Sequence, residues 1–393
     1  MAPVSPSTRV LASLLPLPVV VRGPEAGPRG PVRPQPDREG TISMTVLRAR
    51  IAAFLAVFAL MVTAVLAIAG APAMAAARPT HHPAQAAAGW LARQMTDGSH
   101  FVDVLNGTSF PDQGLTIDAI FAFAAARTAD NYAARAAAWL ARPSILKGYI
   151  GNGTTSSFAG ATAKLLLATE VRGVDPATFG GVNLPVRLAA LLTASGRYSD
   201  HSKFGDFSNA FSQALAVIAT SRVGGATPSA VSFLAGTECS DGGFPLDFGQ
   251  KTCTSDPDAT ALDVQALLAA GRPGPARRGL SWLASVQRSD GGFASPPSTL
   301  SNANSTGLAG EAFAVGGWSR NAARARAFLI RVQVGCAGKP ARRGALAFTD
   351  QGFRAATATR ATAQGILGLA DIGLARLSAR GSQPGDPRLA CSS

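Results

Sequence analysis

Ionisable and amide side chains are sparse along this chain. Several of them fall inside Ala- and Leu-rich stretches that would otherwise be wholly apolar helices: Asp118, Lys164, Gln213, Asp263, Gln265, Glu311 and Gln364. A polar group on an apolar helix costs free energy unless it meets water or a partner. The set therefore predicts either a hydrogen-bonded structural ring or a wet mouth that faces a ligand, where Gln and Asp would bond to the amides or hydroxyls of a small molecule. A second pattern is Asp256-Pro257-Asp258 at the start of one such stretch. Asp at the N-cap, Pro at the first helical position and a further carboxylate near the positive helix end make a helix start. On that reading Asp258 faces backbone N–H groups and keeps a lowered pKa.

Other chemistries lack their residues. Cys239, Cys253, Cys336 and Cys391 form an even set with three possible pairings. Cys239–Cys253 would close a single inter-helix loop and Cys336–Cys391 would pin the C-terminal tail. No Cys-x-x-Cys occurs and the histidines are His81, His82, His100 and His201, so no metal site is predicted. Nor does a Gly-x-Ser-x-Gly elbow, a His-Glu-x-x-His helix or a phosphate loop occur, and no cofactor is predicted. The net charge of +13 is scattered, mostly as Arg, without a block of five like charges or basic-aromatic interleaving. It reads as a solvated surface and not as a nucleic-acid footprint.

The elements that must position these residues repeat. Six segments each open with a helical stretch that carries a large apolar anchor: Trp90, Trp139, Leu191, Phe233, Trp282 and Phe328, spaced 42 to 52 residues apart. Gly-centred turns follow at Asp97-Gly98, Lys147-Gly148-Tyr149, Asp241-Gly242-Gly243-Phe244, Asp290-Gly291-Gly292-Phe293 and Gln351-Gly352-Phe353, then a second, Ala/Gly/Thr-rich helix. A helical hairpin cannot bury both apolar faces alone, and six hairpins in a circle cap one another. The fold predicted is all-α, a six-hairpin (α/α)6 toroid of twelve main helices over residues 76–375, with 376–393 as a tail. Taking the second helices as equivalent places Ile120, Lys164, Gln213, Gln265, Glu311 and Gln364 in one rank. Asp118, Thr162, Phe211, Asp263, Ala309 and Thr362 then form the rank two residues earlier.

Ahead of the repeats, residues 51–69 are uncharged and apolar, follow Arg48 and Arg50, and lead into the small-residue stretch Gly70–Ala77. This is the layout of a secretory signal over 44–75, cleaved after Ala73-Met74-Ala75, with Met44 as its start and 1–43 as an extension without a folded role. Retained, the same segment is just long enough to anchor the chain in a membrane. Secretion agrees with paired cysteines.

Two motifs carry a family resemblance. Arg278 to Phe293, with Trp282, Gln287 and Asp290-Gly291-Gly292-Phe293, resembles the QW motif of squalene and hopene cyclases, and Thr237 to Phe244 is a degenerate second copy. Asp256-Pro257-Asp258-Ala259-Thr260-Ala261 resembles the Asp-x-Asp-Asp-Thr-Ala motif of class II triterpene cyclases, with Ala259 in place of the third Asp. The resemblance implies the α/α toroid shared by terpenoid cyclases, protein prenyltransferases, thioester domains and cobalamin carriers. It also implies Asp258 as a proton donor supported by Asp256. The prenyltransferase zinc set is incomplete around Asp263, and the thioester Cys-Gly-Glu-Gln segment is absent. The expectation is an exported small-molecule binding or scaffold toroid, akin at fold level to corrinoid carriers, whose lid would come from a separate lid or transporter partner. The alternative is a divergent terpene cyclase-like enzyme.

Overall fold

The computed structural model describes residues 78–392, so the expectations for 1–43 and for the signal at 44–75 lie outside the described residues. Thirteen helices follow in chain order: α1 (Pro83–Ala92), α2 (Gln113–Ala126), α3 (Asp130–Leu140), α4 (Pro143–Ile150), α5 (Ala159–Arg172), α6 (Leu184–Ala189), α7 (Ala210–Arg222), α8 (Pro228–Gly236), α9 (Pro257–Ala269), α10 (Pro273–Val286), α11 (Ala303–Gly316), α12 (Ser319–Arg331) and α13 (Ala355–Ala370). Helices α2, α5, α7, α9, α11 and α13 pack each on the next, and α13 returns to α2. They form the inner ring of an (α/α)6 toroid, and the remaining helices lie outside it. The expected twelve helices become thirteen because α4 is inserted in the second hairpin. Its Lys147-Gly148-Tyr149 is helical rather than a turn, and the left-handed glycine there is Gly151, at φ 84°.

Composition explains the two layers. Inner helices approach closely because small residues permit it: a Cβ on Gly307 of α11 would stand 2.6 Å from the Gln364 carbonyl of α13, and one on Gly368 2.9 Å from the Gly307 Cα. Outer helices supply the bulk, with Trp90, Trp139 and Phe328 buried between the layers. In the turn after α10, Gly291 has φ 85° and a Cβ there would lie 2.3 Å from the Arg324 carbonyl, so both conformation and space require glycine.

One hydrogen bond recurs where the chain enters the inner ring. The hydroxyls of Thr116, Thr260, Thr306 and Thr362 accept the backbone N–H of Phe101, Phe244, Phe293 and Leu346, at 2.8 to 3.0 Å. In the third hairpin the Gln213 Oε1 takes the same part toward the Tyr198 N–H at 2.8 Å, and its Nε2 donates to the Gly196 and Ala230 carbonyls. Each bond ties an incoming loop to a fixed turn of an inner helix.

Strand is confined to short pairs. β1 (Pro79–Thr80) runs parallel to the last strand, and β2 (Phe101–Leu105) and β3 (Thr108–Asp112) make an antiparallel hairpin. β4 (Ser156–Ser157) pairs with β5 (His201–Ser202), and β6 (Arg388–Leu389) completes the pair with β1. Residues after α13 form a strap across the C-terminal ends of the inner helices. Leu374 N–H donates to Gln265 Oε1, Arg222 donates to the Ala375 and Leu377 carbonyls, and Ala379 N–H reaches the Val171 carbonyl. Gln383 exchanges backbone bonds with Arg127 and Asp130. The disulfides are Cys239–Cys253 and Cys336–Cys391, the second fixing the strap's end. Among the described residues no helix is long and apolar enough to cross a membrane.

Thr306→Val is shape-conserving and leaves the buried Phe293 N–H without an acceptor. It should lower unfolding free energy in urea by about 1–3 kcal/mol. Thr357→Val on the exposed first turn of α13 should change it by less than about 0.5 kcal/mol.

Candidate functional site

The pinning residues Thr116, Gln213, Thr260, Thr306 and Thr362 supply a common count for the inner helices, and Thr162, whose hydroxyl donates to the Phe158 carbonyl instead, holds the equivalent position on α5. On the first five helices the N-cap lies four residues before, at Asp112, Phe158, Asn209, Asp256 and Asn302. Four of these cap with their own side chains. α5 borrows its cap from a loop, where Asp200 Oδ1 accepts from Ala159 N at 2.7 Å.

Two residues after the pins stand Asp118, Lys164, Leu215, Leu262, Leu308 and Gln364. All six line a central cavity of about 60 Å³. Its polar half comes from consecutive helices α13, α2 and α5. Lys164 Nζ lies 2.5 Å from Asp118 Oδ1 and donates to the Gly114 carbonyl at 3.1 Å, and Gln364 Nε2 donates to Asp118 Oδ2 at 3.3 Å. The other half is leucine. One turn deeper, Gln265 Nε2 donates to Glu311 Oε2 at 3.2 Å, and Leu374 of the strap closes the floor.

Two residues before the pins, one turn nearer the helix N-termini, stand Gly114, Gly160, Phe211, Asp258, Asn304 and Arg360. In this layer Gly114, Asp258, Asn304 and Phe211 are buried, with Phe211 also lining the cavity, and Gly160 and Arg360 are half-buried. Arg360 pairs with Asp112 at 2.8 Å across the α13–α2 seam. Asp256 caps α9 as its sequence predicts, accepting from Asp258 N and Ala259 N at 2.9 Å each, with Pro257 at the first helical position.

The expected lowered pKa of Asp258 is overturned. Asp256 has taken the free N–H groups, so Asp258 is left 2% exposed, and burial with the nearby Asp256 charge pushes its carboxyl up to about 7, only partly offset by the Ser305 and Ser295 hydroxyls. Asp256 is also raised, by burial against its backbone bonds. Burial holds Asp263 and Glu311 well above the ordinary carboxylate range.

The single polar rank read from sequence is corrected as well. Gln213 is a pin and Ile120 lies in the core. Lys164 and Gln364 share the cavity layer with Asp118, and Gln265 and Glu311 sit deeper. Asp263 is fully buried off the cavity, with neither carboxyl oxygen hydrogen-bonded. What sequence reasoning missed is Asn304, Arg360 and the strap. The signal for the first two was present in the N-caps, since counting from cap residues brings them level with Asp258. Among the described residues no group of His, Cys, Asp and Glu is arranged to hold a metal ion.

No family model matches the chain, and no curated protein sequence does. Solved structures do match. A protein from Actinoplanes is 17% identical with a TM-score of 0.54, covering 74% of this chain and 98% of its own. Type II terpene cyclase MstE from Scytonema is 13% identical with a TM-score of 0.56, covering 73% and 96%. Unsaturated glucuronyl hydrolase from Bacillus sp. GL1, an enzyme of glycosaminoglycan degradation, is 10% identical with a TM-score of 0.51, covering 73% and 95%. At these identities the likeness is one of fold, a toroid shared by proteins of different chemistry.

Two outcomes follow from the geometry. Lys164→Met strands the buried Asp118 carboxylate and should cost about 3–5 kcal/mol, and adding Asp118→Leu should recover much of it. In the pH series, Asp258, Asp263 and Glu311 hold their protons to higher pH in the fold than in the unfolded chain. Their contribution is complete below about pH 4 and is lost as pH climbs toward the raised values, about 7 for Asp258. The groups with lowered pKa, Asp206 and Asp241, contribute fully above about pH 4 and lose that contribution only at more acid pH, so they do not alter the comparison of pH 5 with pH 8. The thermal midpoint should be about 5 °C higher at pH 5 than at pH 8, and the triple variant D258N/D263N/E311Q should flatten that difference.

Proposed function

We propose that the mature chain is an exported binding toroid that seats a small amphiphilic molecule at the N-terminal mouth of its inner ring. The observation that carries this is where exposed apolar side chains gather. Val102, Val104 and Leu105 of β2, Phe110 of β3, Phe204 and Phe207 before α7, and Leu300 before α11 all sit on loops that lead into inner helices, each at least 39% exposed. The alternation in the β2–β3 hairpin puts Leu105 and Phe110 on one face and Val102 and Val104 on the other, so both faces offer apolar surface. Such a rim around a polar layer marks a place where an apolar body is covered and a polar end is read. The far end of the ring is closed by the strap, which leaves the mouth as the approach. Two disulfides support export.

Native mass spectrometry of the exported protein should show an amphiphile co-purifying. The double variant F204S/F207S should lose it and should bind a fluorescent apolar probe about tenfold more weakly than the unaltered protein. An empty protein that also ignores the probe would refute the reading.

One observation favours a second reading, a terpene cyclase-like acid. Asp258 titrates at about 7, where a proton donor is useful. MstE, of the same fold, has been solved with geranylgeranyl dihydroxybenzoate as its substrate. Against this, a cavity of about 60 Å³ holds a few waters, Asp258 is not in its lining, and Lys164 lines it with an ammonium group. This reading requires that the purified toroid turn over a polyprenyl substrate and that Asp258→Asn abolish turnover.

A further inference from the structure

Asp258 and Asn304 occupy the same layer of adjacent inner helices, α9 and α11. Each is 2% exposed, and each has a side-chain Oδ1 with no hydrogen-bond partner. Buried acceptors of this kind are uncommon because each forfeits its hydration. The helix caps do not use them. The α9 N-terminus is capped by Asp256, and the Asn302 side chain accepts from Ser305 N–H at the start of α11. In a ring of six, α2 lies across from α9 and α5 across from α11, and their residues in this layer are Gly114 and Gly160. Across the axis from the two acceptors the layer therefore holds two residues without a side chain. Phe211 of α7, in the same layer, is an aromatic residue of the cavity lining.

The charges around the pair have one sign. Asp256 stands next to Asp258 on α9 and acts on it directly. Arg360, the cation of this layer, is engaged by Asp112 at 2.8 Å. From the other elements, Ser295 in the loop before α11 and Ser305 on α11 face Asp258 with hydroxyls. Deeper down, Glu311 of α11 and Asp263 of α9 are carboxyls that burial holds toward their neutral form. The Oδ1 atoms of Asp258 and Asn304 are left without a donor, and no cation pairs with Asp256 or Asp258 among the described residues.

We propose that this layer is a recognition site for a protonated primary amine, its ammonium head donating to Asp258 Oδ1 and Asn304 Oδ1 and its apolar body running past Phe211 toward Phe207. The assignment rests on the mouth-binding reading above and names the head group that this mouth selects. An ammonium brings three donors, no acceptor and the charge that the carboxylate lacks. An alcohol brings one donor and no charge, and a carboxylate would meet Asp256 and Asp258 as a like charge. Binding is linked to pH: the ammonium partners the ionised carboxyl, so a proton on Asp258 competes with it.

The test is calorimetric titration of the disulfide-bonded protein with octylammonium, octanol and octanoate at pH 8 and pH 5. At pH 8 octylammonium should bind about tenfold or more tightly than octanol, and octanoate most weakly. At pH 5 the octylammonium preference should shrink toward unity. Asp258→Asn should bring octylammonium down to the octanol level at pH 8, and Asn304→Leu should weaken it about threefold. Near-UV circular dichroism reports whether each variant is folded, and the pH comparison on the unaltered protein decides the matter if Asp258→Asn is not. Equal binding of octylammonium and octanol at pH 8, or a preference that survives in folded Asp258→Asn, overturns the amine assignment and leaves a mouth that binds amphiphiles without reading the head. If none of the three binds, the mouth reading itself falls and takes this one with it.

Discussion

A side-chain acceptor on the inner helix, a threonine hydroxyl in four of the six hairpins, sets the register on which the toroid depends. The bond is short-range in chemistry and long-range in effect, because it joins the N–H of an entering loop to a fixed turn of an inner helix. Once that turn is fixed, helical periodicity decides which residues look inward: those two before the pin form the layer nearer the helix N-termini, and those two after it form the cavity. A slip of one residue would turn cavity leucines toward the outer layer. Gln213, which replaces the threonine in the third hairpin, shows that the requirement is for an acceptor at this height and not for a hydroxyl.

Much of the fold was legible in sequence because repetition survives substitution. The anchors, the glycine turns and the small-residue helices marked six hairpins without any need to know which face was which. The site was less legible. Ranking inner helices by similarity of their polar residues put Lys164, Gln213, Gln265, Glu311 and Gln364 level, and this failed because they belong to three different heights of the ring. Polar residues in such a ring are placed by their partners on neighbouring helices, as Gln364 is by Asp118 and Gln265 by Glu311, and partnership across helices leaves no periodic trace. The titration of Asp258 was misread for a related reason. The cap was correctly assigned to Asp256, but capping is exclusive, and the second carboxylate was left buried without the N–H groups that would have lowered its pKa. The strap lacked any repeat register to announce it.

The cavity layer is divided between chemistry and packing. On α7, α9 and α11 it is Leu215, Leu262 and Leu308, and on α13, α2 and α5 it is Gln364, Asp118 and Lys164. A buried ion pair of this kind is weak evidence for stability, since its desolvation cost rivals its attraction. Its merit is specificity of arrangement. Gln364 with Asp118, and Arg360 with Asp112 above them, cross the one contact between inner helices that are not consecutive in the chain. Polar bonds placed at that seam tell α2 which helix to accept on its open flank, a choice that uniform apolar surfaces would leave undetermined.

That seam has a consequence in time. Helix α2 is the first inner helix to emerge from a chain delivered N-terminus first, and its missing neighbour, α13, is the last. Through all of the intervening synthesis, the five earlier hairpins form an open arc whose end helices, α2 and α11, both lack the neighbour that α13 supplies. The ring can close only when residues 355–370 arrive, and the strap that seals its floor arrives later still. A toroid built this way holds off its final closure until the whole chain has been made.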